Sequence, residues 1–282
     1  MATTRSSTFG RAEVAVRQAA RNPWVERLAR FGLAARGVVY TVIGMLAVQA
    51  AFFGRGAATD THGALREIAR QSRPLLAAVA VGLAGYALWR FAEAILDPEN
   101  KGRSLKGLGK RSIMLGSGVI YSGLALAAVR AFTHGAAKLG DSSDGGRQIA
   151  ASVLDKPFGR WLVGLVGLGV IAGGVVQFVR AWKRSFEKKL MISQMSADER
   201  RLALRTGQLG LAARGVVFVI TGLFLIQAAV RYDASRVQGL RGALDALAAQ
   251  PHGQLLLGVV ALGLLAFGAY SFLEARYRRI SF

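Results

Sequence analysis

The chain has 282 residues, a formal net charge of +21 and no cysteine, which excludes disulfides, zinc-thiolate sites and thiol nucleophiles. Apolar residues make up 52% and charged residues only 19%, whereas soluble domains carry about 25% charge. The basic side chains sit mostly beside long apolar runs, which points to membrane topology and anionic lipid and away from a nucleic-acid partner.

In chain order, residues 1–29 form a basic segment containing Arg5, Arg11, Arg17, Arg21 and Arg27, with no continuous apolar stretch of the signal-peptide kind. Ala12, Val16 and Ala19 line one face, predicting a surface-lying helix, and Asn22 before Pro23 reads as a cap with proline in the first turn. Six runs then follow: Phe31–Phe53, Leu75–Leu96, Ile113–Phe132, Phe158–Val179, Leu209–Val230 and Leu255–Leu273. Each approaches the ~20 apolar residues that a bilayer requires. Before every second run lies a short amphipathic stretch ending at proline: Gly63–Pro74, Gly146–Pro157 and Gly242–Pro251. Leu65 with Ile68, Ile149 with Val153, and Leu244 with Leu247 give each an apolar stripe at helical spacing, predicting interfacial helices. Residues 183–206 form a basic linker. Its Ser196 and Glu199 have capping-box spacing and predict a short helix presenting Arg200, Arg201 and Arg205.

The octapeptide GLAARGVV at Gly32–Val39 recurs unchanged at Gly210–Val217, and an arginine at its centre argues against chance from apolar bias. Gly118-Val119-Ile120-Tyr121 is a weaker middle copy of Gly37-Val38-Val39-Tyr40. The even runs echo one another too: the stretch from Gly85 to Ala94 aligns with Ala266 to Ala275, and Gln177 to Ala181 fills the same register. The chain therefore divides into a first repeat (30–98), a second (99–182), the linker (183–206) and a third (207–282), each repeat a helical hairpin. The predicted fold is all-α: an integral membrane six-helix bundle of three tandem hairpin repeats in a pseudo-three-fold arrangement.

This pattern resembles a bacterial family of membrane proteins, the domain of unknown function 1206 family, whose members carry three copies of a two-helix unit. The resemblance runs from about Arg30 to Arg279 and rests on the ARGVV motif and on the YALWRFAEA and AYSFLEARYRR helix ends. The middle copy departs from it, with Ser117 where the other two have arginine. The family name implies this architecture and brings no activity with it.

Arg36, Glu93, Arg214 and Glu274 are candidate intramembrane charge pairs, expected as Arg36 with Glu93 and Arg214 with Glu274, or exchanged between neighbouring repeats. Arg90 and Arg180 are candidate contacts for an anion or lipid headgroup, with snorkelling to the interface as the plainer reading. Because the middle repeat has Ser117 and Arg180, the charge ring should be lopsided and net positive there. Glycines such as Gly37, Gly44, Gly169, Gly173, Gly215 and Gly222 read as close-packing positions. His62, His134 and His252, with Asp60, Asp141 and Asp144, lack metal-ligand spacing and read as solvated loop residues, so no metal and no cofactor is expected. Gln49, Arg130 and Gln227 occupy matching positions, as members of a ring about the repeat axis or, more plainly, as helix-end hydrogen-bonding groups.

Lysines and arginines concentrate in the N-terminal segment, the second and fourth loops and the C-terminus, so positive-inside topology places both termini in the cytoplasm of a bacterial plasma membrane. No nucleophile–base pair is readable, and the expectation is a non-enzymatic protein: a membrane scaffold, or a lipid- or partner-binding protein with anionic lipid preferred at its cytoplasmic face. The alternative is a small-solute channel or transporter built from three parallel repeats.

Overall fold

A computed structural model of the protein describes residues 23–53, 59–96, 105–135, 139 and 142–279. The surface helix expected over Ala12–Ala19 lies outside them. In chain order the helices are α1 (Pro23–Phe53), α2 (Thr61–Gln71), α3 (Arg73–Leu96), α4 (Leu105–His134), α5 (Ser142–Leu154), α6 (Gly159–Trp182), α7 (Ala197–Arg231), α8 (Leu240–Ala248) and α9 (Gly253–Tyr277). Six of them, α1, α3, α4, α6, α7 and α9, are long and apolar enough to cross a membrane. Helix is the form such segments must take, since it satisfies every backbone N–H and C=O where no water is present.

The first span of each repeat packs antiparallel on the second span of another: α1 on α9, α4 on α3, and α7 on α6. These three seams are copies of a single contact. Gly37 meets the Phe272 ring, Gly118 the Phe91 ring and Gly215 the Phe178 ring, and a Cβ on these glycines would come within 3.1, 2.7 and 2.9 Å of them. Lipid offers no hydrophobic drive between helices, so this close backbone approach and the dispersion it permits hold the seams together.

A second kind of seam joins the two spans within a repeat. In the first repeat Gly32 of α1 abuts Tyr86, and in the third Gly210 of α7 abuts Phe267, while Gly82 presses on Ala35 and Gly263 on Ala213. The second repeat lacks this seam. Gly116 of α4 and Gly169 of α6 hold the positions of Ala35 and Gly82, yet a Cβ on either would meet nothing within 4 Å. The sequence supplies the reason: Ile113 stands where Gly32 and Gly210 stand in the other repeats. It is 69% exposed. A branched side chain there cannot admit the approach that glycine allows. The three hairpins thus form a pseudo-three-fold ring that is open sideways between α4 and α6.

Two of the short amphipathic helices are buried where interfacial ones were expected. Leu65 and Ile68 of α2 and Leu244 of α8 share one continuous core with Ile43, Leu76 and Leu264 of the spans. Their apolar stripes find deeper shelter between spans than at a headgroup layer. Asp60 caps α2, its carboxylate accepting from the Gly63 N–H at 2.7 Å. On α5 the stripe is displaced: Ile149 is exposed, and Ala150 and Leu154 pack instead on Val237, Ala228 and Val163. After Pro157 and Pro251 the chain turns through left-handed residues, Phe158 (φ 63°) and His252 (φ 60°). Gly159 and Gly253 follow, where a side chain would strike the Val153 and Ala248 carbonyls.

At the opposite end, where α1 begins and α9 ends, the linker folds across the bundle. Phe186 and Leu190 are buried with Ala203, Leu211, Phe267 and Tyr270. The Met191 N–H donates to the Tyr277 carbonyl at 2.8 Å and the Arg279 N–H to the Lys189 carbonyl at 2.9 Å. Ser196 and Glu199 do form a capping box, but it opens the 35-residue α7. The short helix expected here is continuous with the fifth span.

Candidate functional site

Aromatic side chains from equivalent repeat positions converge above this end. Tyr40 meets Phe267 edge-on with ring centroids 4.7 Å apart, and Tyr86 meets Tyr121 at 4.4 Å. Tyr40, Tyr121 and Phe218 are copies of one position on the first spans, whereas Tyr86 and Phe267 share a position that is Gly173 in the second repeat. Three guanidinium groups lie among them, with Arg90 4.8 Å from the Tyr86 centroid. Arg36 sits 5.3 Å from the Tyr86 centroid and 5.0 Å from Phe267, and Arg214 sits 4.4 Å from Phe267 and 5.4 Å from Tyr40. Ring faces are negative, so each cation gains attraction that burial does not screen.

The carboxylates divide unevenly between them. Arg36 pairs with Glu274 of α9 at 2.6 Å and donates to the Tyr86 hydroxyl at 2.9 Å. This pair crosses the first–third seam, exchanged between repeats. Glu274 also accepts from Arg278, which lies 3.6 Å from Glu93. Glu93 in turn pairs with Arg90 at 2.7 Å, and Arg90 also donates to Tyr86. The chain of contacts runs Arg36–Glu274–Arg278–Glu93–Arg90, closing on Tyr86. Arg278 joins α3 to α9, and its role was legible only as part of a basic helix end.

Two expected pairings are therefore corrected. Glu93 is not the partner of Arg36, and Glu274 is not the partner of Arg214, because each carboxylate is already held from its other side. Among the described residues Arg214 has no ion pair and no hydrogen bond, and its Nε is buried without an acceptor. The repeats explain this: Arg180 holds in the second repeat the position that Glu274 holds in the third, so the α6–α7 seam brings no carboxylate there. Arg90, offered as an anion contact, is held by Glu93 and Tyr86; Arg180 is exposed on α6 and is likewise engaged.

Gln49, Arg130 and Gln227 each follow an axis-facing ring by about two and a half turns at about 3.6 residues per turn, which turns them to the opposite face. All three are exposed there and do not encircle the axis. Among the described residues no group of three His, Asp or Glu side chains is close enough to hold a metal, and Asp60 is engaged as a helix cap. Asp141 lies outside the described residues.

Three antiparallel hairpins with six bilayer-length apolar helices define a multi-pass helical membrane protein of internal repeats. The family described as Domain of Unknown Function (DUF1206) matches residues 31–97, 114–184 and 209–278, and the chain belongs to this family. A relative described as an uncharacterized protein, YxxB of Bacillus subtilis (strain 168), is 37% identical over 261 residues, covering 92% of this chain and 93% of the relative. No solved structure matches.

Proposed function

We propose that the chain is a non-enzymatic protein of the bacterial plasma membrane that binds anionic lipid at its cytoplasmic face and serves there as a scaffold. The observation that carries this reading is the cationic rim at the end where α1 begins and α9 ends. Lys183, Arg184 and Lys188 of the linker, Arg200, Arg201 and Arg205 of the first turns of α7, and Arg276 of α9 are all exposed there. Near an anionic leaflet each contributes on the order of 1 kcal/mol. The filled axis supports a scaffold over a solute channel, since Tyr40, Phe267, Ile43 and Leu264 pack where a pore would run.

Two measurements test it. Reporter fusions after Leu105 and Gln194 should read cytoplasmic and one after Gly140 external; a cytoplasmic signal at Gly140 overturns the orientation. In native mass spectrometry the full chain should retain more phosphatidylglycerol than phosphatidylcholine. Joint replacement of Lys183, Arg184 and Lys188 by glutamine should reduce the total number of lipids retained, and equal retention of both lipids would count against the rim.

A further inference from the structure

Arg214 is the one place where the repeat supplies a cation without the anion that its copy receives. Arg36 has Glu274 across its seam and the Phe267 ring beside it. At the two equivalent positions on α6 the second repeat has Arg180 and Gly173. A carboxylate has become a second guanidinium, and an aromatic ring has become space; a Cβ on Gly173 would meet nothing nearer than Phe218 at 3.7 Å. Gln177, one turn before Arg180, is buried. The open flank between α4 and α6 belongs to the same repeat. Cations inside a bilayer are costly and take a counter-charge or a route to water.

We propose that Arg214, with the Gln177 amide nearby, binds the phosphate of one anionic phospholipid, which enters sideways between α4 and α6. The inference rests on the lipid-binding reading and adds to it a single site with defined donors. A guanidinium fork matches two phosphate oxygens at once, and the Gln177 amide offers a further N–H. The flank suits the rest of the lipid. Gly116 and Gly169 leave an open groove, bordered by Ile113, Ile120 and Leu165, which are all exposed. Phe186 and Leu190 of the linker cover the neighbouring α7–α9 end, so a lateral approach from the membrane is more direct than one from water.

The test uses the full chain in mild detergent, with native mass spectrometry against added phosphatidylglycerol, phosphatidylcholine and, separately, inorganic phosphate. One phosphatidylglycerol should remain bound at activation that strips the rim lipids. Arg214→Gln should lower that retained fraction by about tenfold or more, the scale of a lost charge-assisted hydrogen bond. Gly169→Leu fills the groove without altering charge at a position with open space around it, and it should remove the same lipid without lowering the melting temperature. The rim triple substitution should leave this one lipid in place, which separates failure of the site from failure of the rim. Retention of the tight lipid by a folded Arg214→Gln or Gly169→Leu variant overturns the site. Tight inorganic phosphate that is lost in Arg214→Gln but kept in Gly169→Leu overturns the lipid as its source.

Discussion

Arg36 and Glu274, 238 positions apart in sequence, stand 2.6 Å from each other across the seam that closes the first repeat on the third. Both are nearly inaccessible, at 4% and 5% exposure. Breaking a buried pair leaves an uncompensated charge, which costs about 3–5 kcal/mol. Arg36→Ala and Glu274→Ala should each lower thermal stability in detergent, and the double variant should lose much less than the sum. Arg36→Ala combined with Glu93→Ala should couple more weakly, since Glu93 is held by Arg90 and Arg278. Stronger coupling to Glu93 than to Glu274 would reverse the assignment of the seam.

The glycines sort into two groups with opposite expected responses. A Cβ on Gly222 would meet the Gly167 carbonyl at 2.7 Å, and one on Gly44 the backbone of Leu265 at 2.7 Å. Alanine at either position forces rigid backbones apart and should destabilise. Gly116 and Gly123 have open space around that position, so alanine there should stabilise by up to about 1 kcal/mol through helix propensity alone. Unfolding curves of the four single variants decide this; a loss at Gly116→Ala would mean that α4 is packed on that face and the ring is closed there.

Absence of native cysteine makes cross-linking a direct probe of the same opening. Bridging requires Cα atoms within about 7 Å. Cysteines replacing Ala35 and Gly82, or Ala213 and Gly263, would start with Cβ atoms 2.4 Å apart; once the helices part to the ~3.5–4.5 Å that a disulfide takes, both pairs should oxidise. The equivalent pair in the second repeat, at Gly116 and Gly169, should stay reduced under the same conditions. Equal rates for all three pairs would show a closed, symmetric ring.

Lys189 gives the linker a pH response. Burial, helped by the nearby Arg278 and by Arg180 and Arg90 and opposed by Glu93, pushes its ammonium down to about 8. Unfolded, it titrates near the ordinary lysine value of about 10.4. Between those values the unfolded chain binds more protons, so stability from this group rises with pH across the window, and the full penalty stands below about 8. Lys189→Met should therefore raise the melting temperature at pH 7 and give little gain at pH 10. The same gain at both values would mean that the linker does not bury the ammonium.

Hydropathy is a local property, so the six spans, the three hairpins and the capping box of Ser196 with Glu199 could all be read before any helix was placed. The duplicated octapeptide marked equivalent positions for the same reason. Partner choice is not local. Arg36 could reach Glu93 or Glu274 by depth alone, and only the Gly37–Phe272 seam decides for Glu274, by bringing α9 against that face of α1. The stripes on α2 and α8 were visible, but their insertion between spans depends on space that the ring of larger helices leaves. The opening between α4 and α6 lay in the sequence as Ile113 in place of a glycine. It could not be read until the structure showed that Gly32 and Gly210 are contact points. A substitution has a spatial meaning only once the surface it faces is known, and that surface comes from other repeats of the same chain.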